Sequence, residues 1–101
     1  MLVAISFRGS SAMLERETII SNRLGMHARA AAKLVQTVQG FQAKVWLRAK
    51  GHEVDARSIM GVMMLAAGTG TPLGVRAEGI DEAAVLDAVI DLVERKFDEG
   101  A

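Results

Sequence analysis

The stretch Gly25-Met26-His27-Ala28-Arg29-Ala30-Ala31-Ala32-Lys33-Leu34-Val35 sets a histidine where a loop ends and a helix begins, with an arginine two residues later. Imidazole is a nucleophile whose charge changes near neutral pH. The first-turn amides of a helix have no intrahelical partners, and the helix dipole favours an anion at that end. A guanidinium adds a planar cationic fork matched to phosphoryl oxygens. Nucleophile, anion cradle and counter-charge thus fall within one helical turn, which suits phosphate chemistry at His27 with Arg29 beside it.

The elements that must hold this site are legible from periodicity. Glu15 to Ser21 reads as a strand with β-branched Thr18, Ile19 and Ile20. Asn22 to Gly25 is the loop, and residues 28–39 place Ala31, Leu34, Val35 and Val38 on one face of an amphipathic helix closed by Gly40. Phe41 to Arg48 alternates as a half-buried strand, and Ala49-Lys50-Gly51 turns into a second strand, His52 to Ala56. Ser58 to Ala67 is a short helix with Ser58 as N-cap and Gly68 beyond its end. A fourth strand carries Leu73, Val75 and Ala77. Asp81 caps a last helix to about Phe97, with Ile80 and Val85 as a hydrophobic staple. The order β-α-β-β-α-β-α, with polar strand faces, predicts an α+β fold in which helices cover one side of an antiparallel sheet.

Composition bounds the function. The 101 residues suit one domain, and half of them are apolar, enough for a core without cross-links. Absence of cysteine removes disulfides and thiolate metal sites. Balanced charge and four aromatics argue against a nucleic-acid binder. No apolar run reaches the roughly 20 residues of a membrane span, so a soluble cytoplasmic protein is expected. Residues 1–12 read as a flexible extension, with Met13 as an alternative start, and residues 99–101 as a tail. His52, on a strand without neighbouring ligands, is expected to face solvent, and no metal or cofactor is expected. Arg23, Arg29, Lys33 and Arg57 would form a patch for an acidic partner if the fold gathers them around His27. Trp46 is expected as an isolated exposed aromatic.

The segment Asn22 to Val35 resembles the active-site segment of HPr, the histidine-containing phosphocarrier of the bacterial phosphotransferase system. Arg57-Ser58-Ile59-Met60-Gly61-Val62-Met63-Met64-Leu65 is similar to that family's regulatory segment, and the resemblance covers residues 13 to about 98. It implies an open-faced β-sandwich, a four-stranded antiparallel sheet with three helices on one face. It also implies that His27 accepts a phosphoryl group at Nδ1 from phosphorylated enzyme I and passes it to enzyme IIA domains. The backbone amides of Ala28, Arg29 and Ala30 would then hold the phosphoryl oxygens. Ser58 would be the regulatory serine, the target of an HPr kinase/phosphorylase. A partner surface would take in Met26, Lys33, Ile59, Met60 and Met64, on a monomer. If Ile59 and Val62 turn inward, Met60 and Met64 fall on another, exposed face.

Many family members have proline where this chain has Ala30; alanine there restores an amide to the first turn. Two other readings stand beside sugar uptake or carbon regulation. One is the nitrogen-branch paralogue of the carrier, against which the Arg-Ser-Ile-Met-Gly block argues. The other is a non-catalytic regulatory binding module, against which His27 with Arg29 argues.

Overall fold

The computed structural model of the chain describes residues 13–100, so the extension expected over residues 1–12 lies outside them. Seven main elements follow the expected order: β1 (Met13–Ile19), α1 (Ala28–Gln39), β2 (Lys44–Ala49), β3 (His52–Asp55), α2 (Ile59–Met64), β4 (Pro72–Glu78) and α3 (Glu82–Glu94). A short 3-10 turn over Lys96–Asp98 is added at the end. The strands form one antiparallel sheet in the order β1-β4-β2-β3. This is the open-faced α+β sandwich that the alternating strands demand.

One sheet face is apolar because residues two apart share a side. Ala43, Val45 and Leu47 meet Leu73, Val75 and Ala77 there, all buried. They are covered by Leu34, Val35 and Val38 of α1 and by Val85, Leu86, Val89, Leu92 and Val93 of α3. The opposite face is a mesh of charge: Arg48 pairs with Glu15, and Arg76 binds Glu53 at 2.9 Å. The Arg76 guanidinium also lies 4.4 Å from the centre of the Trp46 ring. Trp46 is therefore roofed by a cation rather than isolated, a contact between the ring's negative face and a positive plane.

The tight hairpin pairs Ala49 with His52 across Lys50 and Gly51, both at positive φ (55° and 81°), as a two-residue turn of matching twist requires. Several boundaries differ from expectation. β1 begins at Met13 and ends at Ile19, because the register with β4 runs from Glu78 back to Pro72. α2 stops at Met64, since Ala66 turns to a φ of 51° and cannot continue a helix. Ile59 does not turn inward but is exposed, while Val62 is buried.

Asp81 stands at the N-cap position of α3 without capping it. Its two oxygens instead accept the amides of Gln42 and Ala43, each at 2.8 Å, and tie the entry of β2 to α3. The Gln42 amide first, then that of Ala43 and the nearby Arg57 charge, hold its carboxyl below the ordinary range. The staple is not formed, because Ile80 is 90% exposed. α3 ends at Glu94 rather than at Phe97, where Lys96, Phe97 and Asp98 take φ values of 59°, 54° and 62°.

Candidate functional site

The loop before α1 is shaped by one glycine. Gly25 has a φ of 69°, and a Cβ there would lie 2.7 Å from the Ala67 carbonyl oxygen and 2.8 Å from Gly68 Cα. Any side chain would both strain the backbone and collide with backbone. That close approach lets the Met26 amide donate to the Ala67 carbonyl at 2.8 Å, which locks the loop to the segment after α2. Met26 itself is buried, 5% exposed, so it is a core anchor and not the partner-surface residue expected. Its neighbour Leu24 is the exposed apolar residue of the loop, at 66%.

His27 occupies the N-cap of α1 with extended backbone, and no side chain caps the helix. The first intrahelical bond runs from the Ala31 amide to the His27 carbonyl at 2.9 Å. The amides of Ala28, Arg29 and Ala30 are thereby left without helical partners. Serine, threonine, aspartate or asparagine would ordinarily fill this position and close it. Here it stays open, as an anion site requires. Arg29 and Ala28 are exposed while Ala30 is buried. Arg23, Leu24, His27, Ala28, Arg29 and Glu99 line a cleft of about 520 Å³.

The histidine ring is held by a residue that periodicity had left in the tail. His27 Nε2 pairs with Glu99 Oε2, and Nδ1 has no hydrogen-bond partner among the described residues. The other carboxylate oxygen of Glu99 accepts from Asn22 Nδ2 at 3.0 Å, and the same amide group donates to the Gly25 carbonyl at 2.8 Å. Asn22 is fully buried, and its Oδ1 has no partner among the described residues. Burial of Glu99 opposes its ionisation, but the hydrogen bonds from Asn22 and His27 and the Lys33 charge outweigh it. The carboxyl lies below its ordinary value of 4.5.

The left-handed turn after α3 delivers this carboxylate. Phe97 is fully buried, and the amides of Asp98 and Glu99 donate back to Arg95 and Lys96. Lys33 Nζ donates to the Phe97 carbonyl at 2.7 Å. Lys33 is thus half-buried, with its ammonium group held by the turn. The four-cation patch separates accordingly. Arg23 and Arg29 line the cleft, whereas Arg57 donates to the carbonyls of Phe41 and Ala43 at 2.9 and 3.0 Å, at the entry to β2.

Ser58 caps α2 as its residue type predicts: its Oγ accepts the Gly61 amide at 3.0 Å. α2 packs on α1 and leaves Met60 and Met64 exposed at 72% and 77%, with Ile59 at 42%. His52 is exposed on its strand.

The family model described as "PTS HPr component phosphorylation site" matches residues 14–95. The chain belongs to the HPr family. It is similar to the phosphocarrier protein HPr of Xylella fastidiosa strain 9a5c, with 54% identity over 86% of this chain and 98% of that protein. The phosphocarrier protein HPr of Cupriavidus necator is 49% identical over 87% of this chain and 99% of its own length. Among solved structures, a crystal structure of HPr from Thermoanaerobacter tengcongensis aligns with a TM-score of 0.82 at 41% identity, covering 85% of this chain and 97% of that one. The open sheet with three helices is thus the fold of HPr structures, and the chain is a member of the HPr phosphocarriers of the phosphotransferase system. The HPr family match ends at Arg95 and does not reach Glu99.

Proposed function

We propose that His27 is the phosphoryl carrier of this protein, accepting at Nδ1 from phosphorylated enzyme I and donating to enzyme IIA domains in sugar uptake or carbon regulation. The observation that carries the reading is the uncapped N-terminus of α1, with the His27 ring at its mouth and Nδ1 unpartnered among the described residues. Three phosphoryl oxygens placed there meet the amides of Ala28, Arg29 and Ala30 and the positive end of a twelve-residue helix. The Arg29 guanidinium supplies an exposed counter-charge at the rim. The site positions and neutralises charge, which is most of what phosphoryl transfer asks of a protein. A phosphoramidate suits a carrier because imidazole is both a nucleophile and a leaving group.

Ser58 is the proposed regulatory site, open to an HPr kinase/phosphorylase because it is exposed at the start of α2. The exposed side chains of Ile59, Met60 and Met64, together with Leu24, are the apolar surface for partners, where methionine adapts to more than one shape. No helix among the described residues is long and apolar enough to cross a membrane, and a monomer working in the cytoplasm is the proposed setting.

Intact mass after incubation with phosphoenolpyruvate and enzyme I tests the carrier reading. Wild type gains one acid-labile phosphoryl group, His52→Ala gains the same, and His27→Ala gains none. A label that persists in His27→Ala would refute it.

A further inference from the structure

We propose that Glu99 is the positioning residue of His27, holding the ring in the tautomer that leaves Nδ1 free to attack and turning that nitrogen toward the open end of α1. The proposal rests on the carrier reading above and adds to it a residue beyond the matched family segment.

A neutral imidazole carries one proton, on either nitrogen, and only the nitrogen without it can attack phosphorus. Glu99 Oε2 lies against Nε2, and an ionised carboxylate is an acceptor only. The contact therefore fixes the proton on Nε2 and the lone pair on Nδ1, as a carboxylate orients the base of a catalytic triad. The hydrogen bonds that hold Glu99 below the ordinary carboxylate range keep it in this acceptor form.

The carboxylate is itself held in place. Asn22 donates to its other oxygen and, through the same amide, to the Gly25 carbonyl that begins the approach to His27. One buried side chain thus registers the loop against the C-terminal turn. The backbone reaches Glu99 through three successive non-glycine residues at positive φ. L-residues take this conformation reluctantly, and such strain persists only where the surroundings impose it. Burial of Phe97 and the Lys33 bond to its carbonyl supply that restraint.

The step balances without moving a proton on His27. The Nδ1 lone pair forms a bond to phosphorus while the phosphoramidate bond of the donor breaks, its electron pair leaving with the donor's nitrogen. His27 then carries phosphoryl on Nδ1 and its original proton on Nε2. The ring has become cationic, and Glu99 faces the new charge. Return transfer to an acceptor nitrogen reverses these changes.

Imidazole nitrogen NMR of the full chain, combined with phosphoryl transfer rates from enzyme I, tests the assignment in Glu99→Ala and Glu99→Gln. Wild type shows the Nε2-protonated tautomer. Glu99→Ala, folded by its melting curve, shows a growing Nδ1-protonated fraction and a transfer rate lower by roughly tenfold, the lesser end of what losing an orienting partner costs. Glu99→Gln keeps an acceptor oxygen for Nε2 and recovers both the tautomer and most of the rate. A wild-type tautomer in Glu99→Ala, or a changed tautomer with an unchanged rate, overturns the proposal. Failure of wild type to accept phosphate would overturn the carrier reading instead, and the tautomer spectra would still read the Glu99 contact by themselves.

Discussion

Two helices of this protein pack against each other yet begin in opposite states. α1 starts at His27 with no side chain on its free amides, whereas α2 starts at Ser58 with its hydroxyl already on the Gly61 amide. The twelve-residue helix is anchored in the core by Ala30, Ala31, Leu34, Val35 and Val38 and can forgo a cap. The six-residue helix buries Val62 alone among its residues and depends on one. An open helix end is a place to put a phosphate, and a closed one is a place where a phosphate must displace or replace a bond that already serves folding. Under the proposed function, the contrast would separate a transfer site from a switch by local stability rather than by residue type.

The largest expected break in this contrast is at Gly25. Gly25→Ala imposes left-handed strain of about 1–2 kcal/mol. It also sets a Cβ against the Ala67–Gly68 backbone. Chemical denaturation should show a loss exceeding the strain alone, and the surviving folded protein should transfer phosphate slowly, because the loop that aims His27 has shifted. Wild-type stability with wild-type transfer would show that the open end of α1 does not depend on this turn.

A smaller effect is expected at Ser58. Ser58→Ala should lower stability by about 0.5–2 kcal/mol and leave transfer to His27 intact. Ser58→Asp should melt no lower than wild type, since an acidic residue also suits a helix start. It should nevertheless accept phosphate from enzyme I more slowly, with the deficit shrinking in high salt as charge repulsion is screened. Equal transfer rates at low salt would leave Ser58 a cap and nothing more.

The smallest effect is in acid. The folded-state carboxyl of Glu99 lies below its ordinary value of 4.5, so its contribution to stability is present above that value and fades as pH falls through the lower, folded one. The melting-temperature difference between wild type and Glu99→Gln should therefore be steady at neutral pH and shrink only below the ordinary carboxylate range. A difference that vanished already between pH 7 and 5 would mean that Glu99 is not held ionised.

Local signals made much of this legible. The run of alanines and spaced aliphatics from residue 28 marks α1 to both of its ends, and the alternation of Val45 and Leu47 with polar neighbours marks the buried face of β2. Ser58 could be read as a cap because the bond it makes is to the residue three positions on. The parts that escaped are joined across the chain. His27 and Glu99 are separated by 72 positions, and Asp81 reaches amides 38 and 39 positions away. Nothing in a periodic pattern distinguishes Asp81 as a cap from Asp81 as a brace. The inward turn of Met26 has the same origin, because its direction is set by the bond to Ala67, on a segment remote in sequence. The left-handed run at Lys96–Asp98 contains no glycine to announce it.

Phe97 has a consequence at a distance. Its ring is sealed in the core and its carbonyl is held by Lys33, two residues before the carboxylate that meets His27. The aim of an imidazole at the surface is thereby indexed to how well one benzyl group fills its cavity. A smaller side chain at position 97 would be registered twice, once as lost cohesion in the interior and once as slack in a histidine seventy positions away.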